Sequence, residues 1–245
     1  MTVTRWFRTT LAGLAVLAGA LLALGWALDR SRAGPPVDVA LPALAVPADG
    51  PLRIVVLGTS LGHRALWPEA VGQALSDCLG RPVGIGRLTL PGASSDWGLT
   101  QVDAVAAQAP DLVTVEFAVN DADLWDGLSL QESRENLARM VAEFGGRGIA
   151  VLLVGTGPVG RVAAMKRPFL PVFQDIYPEL AREEGTGFFD AERRWRALPG
   201  WRTALADGVH PDPATEAEVV VAPMARMIGR AFGADCRGRA VLSPG

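Results

Sequence analysis

The chain has 245 residues, 49% of them hydrophobic, enough for one medium-sized domain with a substantial core and short appendages. A net charge of -3 leaves no basic footprint, so the composition argues against nucleic-acid binding. Neither of the two cysteines has the His and Cys company of a zinc site, and no sequence feature calls for a metal or an organic cofactor.

Arg5 and Arg8 precede an uncharged stretch, residues 9–28, that ends at Asp29 and Arg30. As a helix, about twenty such residues span about 30 Å of hydrocarbon. The core of a signal peptide is normally shorter, about 7–15 residues, and no small-x-small cleavage site directly follows Leu28. Residues 1–30 are therefore expected to form an uncleaved signal anchor. This would be a transmembrane helix with its amino terminus inside and the rest of the chain outside the cytoplasm. Secretion after cleavage is the alternative. Residues 31–50, rich in Pro and Ala, read as a linker, 51–235 as the folded domain and 236–245 as a tail. Cys78 closes the first predicted helix of the domain and Cys236 follows the last. In a disulfide-permissive compartment they are a candidate bridge, with two free thiols as the alternative.

From residue 51 strands and helices alternate. Residues 53–57 (RIVVL) form a short β-branched strand, followed by a helix over 66–78. A strand over 83–90 leads to a helix over 96–108, capped by Ser94 or Ser95. A third strand covers 111–117, and a helix over 129–144 opens with Ser129 and Glu132 at capping-box spacing. Residues 149–154 (IAVLLV) are the fourth strand. A helix over 171–184, a weak strand over 187–189 and a final helix over 214–232 complete the pattern. Such alternation predicts an α/β fold, a mostly parallel five-stranded sheet covered by helices on both faces. Sites in such sheets gather at the C-terminal strand ends.

Three short islands fall just past predicted strand ends: Gly58-Thr59-Ser60-Leu61, Pro91-Gly92-Ala93-Ser94 and Ala118-Val119-Asn120-Asp121. A fourth, Asp207-Gly208-Val209-His210-Pro211, lies in a late loop rich in turn residues. Ser60 at a helix start has backbone N–H groups directed beside its oxygen, although an ordinary N-cap serine reads the same way alone. Of the two histidines, His210 has a carboxylate, Asp207, three residues earlier, able to hold one ring nitrogen while the other faces a serine. His63 would project along the helix surface and reads as pocket edge or surface. The Asn120 amide and the Gly92 backbone N–H are candidate oxyanion donors, each with a plain turn residue as its bland alternative.

In these residues the chain resembles the SGNH hydrolases, also called GDSL esterases and lipases. Gly58-Thr59-Ser60-Leu61 is similar to the first block of that family, Gly92 to the second, Ala118-Val119-Asn120-Asp121 to the third and Asp207-Gly208-Val209-His210 to the last. The resemblance implies a flavodoxin-like three-layer α/β/α domain, with Ser60 as nucleophile and Asp207 and His210 completing a triad. Ser60, Gly92 and Asn120 would form the oxyanion hole. Two positions depart from the pattern: Thr59 stands where the family usually has Asp, and Ala118 where it usually has Gly.

The expected function is an extracytoplasmic serine esterase that hydrolyses short O-acyl esters, acetyl on a glycan foremost. No long insertion resembles a lid, and Trp97 and Trp125 near the second and third blocks are candidates to stack on a sugar or, more ordinarily, to pack. An O-acyltransferase on the same site and a catalytically silent binding module are the alternatives. The expected partners are a small-molecule or glycan ester and, through the N-terminal helix, a membrane.

Overall fold

A computed structural model of the chain describes residues 34–45 and 50–236, Arg32, and residues 12, 13, 15–21, 23, 24 and 27. Among the described residues no helix is long and apolar enough to cross a membrane. The expected anchor, 9–28, falls partly outside them, and so does the expected tail from residue 237 on.

Five strands, β1 (Leu52–Gly58), β2 (Val83–Thr89), β3 (Leu112–Glu116), β4 (Ala150–Val154) and β5 (Gly187–Phe189), form one sheet in the order β2-β1-β3-β4-β5. Every neighbouring pair is parallel. Alternating side chains feed two separate cores. Ile54, Val56, Leu112, Leu152, Val154 and Phe189 face one, and Val55, Leu57, Val113, Val115, Leu153 and Phe188 face the other. Both faces are buried, which explains why the strands read as nearly continuous apolar runs.

The helices in chain order are α1 (Ser60–His63), α2 (Trp67–Leu79), α3 (Ser95–Thr100), α4 (Val102–Ala106), α5 (Ala118–Asp121), α6 (Leu130–Gly146), α7 (Arg161–Lys166), α8 (Leu170–Glu183), α9 (Ala191–Ala197), α10 (Pro213–Glu216) and α11 (Ala222–Ala231). α2, α9 and α11 cover the first core through Val71, Leu75, Trp195, Met224 and Ile228. α4, α6 and α8 cover the second through Val105, Leu137, Met140, Phe144 and Tyr177. α6 starts at the expected capping box: Ser129 Oγ accepts the Glu132 N–H at 3.2 Å, and the Glu132 carboxylate accepts the Ser129 N–H at 2.9 Å.

Two expected helices are divided. The stretch read as 96–108 breaks between α3 and α4, where Thr100 Oγ1 donates to Trp97 O at 2.7 Å and the Gln101 N–H to Gly98 O at 3.0 Å. Gly98 also lies where a Cβ would sit 2.4 Å from the Phe117 ring, so only glycine lets α3 approach β3 this closely. The stretch read as 214–232 contains a π turn, Ala217–Val221, between α10 and α11. Pro223 follows at once; it lacks an N–H for the Val219 carbonyl and its ring crowds that turn, which widens the helix.

The linker reading needs correction. Within residues 34–45 the stretch from Val37 to Leu41 runs along β5, and the Leu44 N–H donates to Ala231 O at 2.8 Å. Val39 and Phe188 exchange antiparallel backbone bonds, each of 2.9 Å, and the Val37 N–H donates to Asp190 Oδ2 at 3.0 Å. Asp38 accepts two bonds from the Arg194 guanidinium, at 2.7 and 2.6 Å, while Leu41 is buried over Gly187. This strap covers an otherwise open sheet edge, so the folded unit begins well before residue 51. It also extends to Cys236, which was read as the first tail residue. Cys236 is buried and disulfide-bonded to Cys78 at the end of α2, with Cα atoms 5.5 Å apart.

Candidate active site

Ser60 is the first residue of α1, two residues past the end of β1. Thr59 caps this short helix, its Oγ1 accepting the Leu61 N–H at 3.2 Å. His210 and Asp207 come from the loop between α9 and α10. A one-rung ladder shapes this loop: Leu205 bridges to Pro211, and the Ala206 N–H donates to His210 O at 3.0 Å. The loop brings His210 Nε2 to 2.8 Å from Ser60 Oγ and His210 Nδ1 to 2.7 Å from Asp207 Oδ2. With Nδ1–H donating to the carboxylate, Nε2 is left to accept the serine hydroxyl.

Asp207 is itself fixed. Its Oδ1 accepts the Val209 N–H at 3.0 Å and the His210 N–H at 2.9 Å. Desolvation pushes its carboxyl upward, but the bonds from the His210 backbone, the imidazole and Val209 outweigh this and hold it well below the usual carboxylate range. It is therefore an anion whenever His210 needs a partner.

Gly92 and Asn120 lie past β2 and β3, the two strands that flank β1. The Gly92 segment is tied to the Ser60 loop, since the Leu90 N–H donates to Gly58 O at 3.1 Å. Gly92 has φ +82, which a residue with a Cβ rarely adopts. Asn120 Nδ2 donates one hydrogen to Ala93 O at 2.7 Å, which aims the amide and leaves its second hydrogen uncommitted to that carbonyl. Beneath, the buried Asp121 carboxylate accepts the Ser95 N–H at 2.7 Å and the Ser133 hydroxyl at 2.6 Å, pinning the second and third blocks together. Burial raises the Asp121 carboxyl above its usual range. His63 lies apart from the Ser60–His210–Asp207 chain, its Nδ1 3.1 Å from Thr89 Oγ1. Trp97 packs edge-on against Phe117, whereas Trp125 stands 78% exposed.

The sequence reading missed Glu116, the last residue of β3. Its side chain is buried directly under the nucleophile loop, where Oε1 accepts the Thr59 N–H at 2.7 Å and lies 2.9 Å from Thr59 Oγ1. Burial drives its carboxyl up to about 7, against the lowering effect of the Thr59 and Gly62 bonds. Glu216, on α10, is a second buried carboxyl, pushed by burial to about 8, and the two line one cavity of about 40 Å³ with Trp67 and Trp195. An acidic residue in an otherwise apolar strand was the one available signal for Glu116.

The family model described as GDSL-like lipase/acylhydrolase matches residues 54–217. No curated protein matches the chain significantly. Among solved structures, the lipase/acylhydrolase from Enterococcus faecalis superposes with a TM-score of 0.66 at 22% identity, over 75% of this chain and 97% of that one. Axe2, an acetylxylan esterase from Geobacillus stearothermophilus, gives 0.62 at 16% identity, over 82% of this chain and 100% of its own. TesA gives 0.56 at 24% identity, over 68% and 93%. These structures share the fold, and the family match spans most of the folded unit. The chain belongs to the GDSL-like lipase/acylhydrolase family and is an ester hydrolase of the SGNH type.

Proposed function

We propose that this protein is a serine esterase that removes short O-acyl groups, acetyl foremost, from a glycan outside the cytoplasm, held to a membrane by residues 9–28. The observation that carries the chemistry is the continuous hydrogen-bonded path from Ser60 through His210 to Asp207. His210 Nε2 takes the hydroxyl proton as Ser60 Oγ attacks the ester carbonyl, while Asp207 stabilises the imidazolium. The N–H groups of Ser60 and Gly92 and the Asn120 amide receive the oxyanion. The C–O bond to the alcohol then breaks, and His210 returns the proton to the departing oxygen. Water activated by His210 attacks the acyl-serine, releasing the acid and restoring Ser60.

Axe2, of the same fold, is named an acetylxylan esterase. Thr59 does not favour a silent binding module, because its departure from the family pattern is matched by the Glu116 carboxylate it bonds.

The test is p-nitrophenyl acetate hydrolysis by the full chain in detergent beside its Ser60→Ala variant. Loss of at least about 1000-fold in kcat is expected for the variant. Equal turnover in both proteins would remove Ser60 from the mechanism.

A further inference from the structure

Exposed apolar side chains cluster at the catalytic end of the sheet. Leu124 and Trp125, between α5 and α6, are 52% and 78% exposed, and Val162 and Met165, on α7, are 68% and 61% exposed. The two segments form one surface. The Leu124 N–H donates to Lys166 O at 2.9 Å, and Arg167 reaches back to Val119 O and pairs with Asp123 at 2.9 Å. Val162 and Met165, three residues apart, share an outward face of α7, while Ala163 and Ala164 pack on the core. The patch borders the site: Val119 precedes Asn120, and the Gly160 N–H donates to Gly208 O, inside the Asp207–His210 loop, at 2.8 Å. Single exposed apolar residues are ordinary, but four large ones gathered at a site mouth call for a partner.

The strap points to that partner. It runs antiparallel to β5, so its earlier residues lie toward the C-terminal strand ends. Val39 pairs with Phe188, and the Val37 N–H reaches Asp190, just beyond the strand. Arg32 goes further the same way, bonding Pro171 O and Asp175 in the opening turns of α8 and pairing with Glu192 on α9 at 3.2 Å. The chain therefore enters the domain at the end of the sheet that holds Ser60 and His210. Leu28, where the apolar stretch ends, is four residues before Arg32, and four residues reach at most about 14 Å.

We infer that the catalytic end of this domain docks on a lipid bilayer, with Leu124, Trp125, Val162 and Met165 as the contact surface and residues 9–28 as the tether. This rests on the anchored reading proposed above. A tether alone would leave the domain free to turn, whereas the apolar patch selects the end that faces the lipid. The ester that reaches Ser60 is then one carried at the bilayer surface.

Met165→Cys, and Glu184→Cys at the opposite end of the sheet, each give a full chain with one reactive thiol, because Cys78 and Cys236 are bonded to each other. Each variant is spin-labelled, reconstituted into phosphatidylcholine vesicles and probed for collisions with oxygen and with a water-soluble nickel chelate. The label at 165 is expected to favour oxygen several-fold over the label at 184. Equal nickel accessibility at both positions, or a chain that does not float with the vesicles, overturns the docking. p-Nitrophenyl acetate turnover by the same samples reads the esterase chemistry separately. Lost turnover with the expected depth pattern would count against that chemistry and support the docking.

Discussion

Thr59 shows how a departure from a family pattern acquires a physical reason once its neighbour is known. An aspartate at this position would place a second carboxylate within hydrogen-bond distance of the buried Glu116. Threonine donates to Glu116 instead and still caps α1 through the Leu61 N–H. The hydroxyl thus links the loop that carries Ser60 to the end of β3, two residues before the Ala118-Val119-Asn120 turn. Asn120 is held just as firmly, through Ala93 O. If its free amide hydrogen receives the oxyanion, Asn120→Ala lowers kcat by roughly 100- to 1000-fold with little change in stability. A loss of tenfold or less in steady-state assays would return Asn120 to the role of a turn residue.

At the scale of elements, legibility followed periodicity. The sheet could be read because β1, β3, β4 and β5 are short, mostly apolar runs buried on both faces, and α6 because the Ser129–Glu132 box marks its start. Three of the four blocks were readable because each sits just past a parallel strand, which is also why Ser60, Gly92 and Asn120 converge; the fourth was readable because His210 has Asp207 three residues before it in a loop rich in turn residues. Features decided by tertiary contact could not be read. The close approach of α3 depends on Gly98 meeting Phe117, and the packed strap depends on Val39 finding the edge of β5. Nothing local separates such a strap from a free Pro- and Ala-rich linker. α9 was passed over although Asp190 caps it, accepting the Arg193 N–H at 3.0 Å; its apolar content is little more than Trp195.

The whole molecule is closed from both ends. The strap covers β5, and the Cys78–Cys236 bond, spanning 158 residues, ties α2 to the segment that follows α11. In a chain-entropy account a loop of that length is worth about 5 kcal/mol. Buried carboxyls oppose this stabilisation. Glu116 and Glu216 are raised from 4.5 to about 7 and about 8, so the folded state keeps protons that the unfolded chain releases above pH 4.5. Stability therefore falls as pH rises from about 4.5 to about 8, by on the order of 3 kcal/mol for Glu116 alone. Burial raises Asp121 and Glu192 too, and they act in the same direction. Urea unfolding at pH 5 and pH 8 is expected to show this decline, and Glu116→Gln is expected to shrink it. An unchanged difference in the variant would mean that Glu116 is ionised in the folded protein at both pH values.

The measurement that tests the catalytic claim most directly is covalent capture of the nucleophile. The full chain is treated with a fluorophosphonate, and the adduct is mapped by peptide mass spectrometry. A single adduct on Ser60, strongly reduced in His210→Ala, is predicted from the 2.8 Å contact between the two side chains. A folded protein that stays unmodified, or one labelled on another serine, would contradict the account.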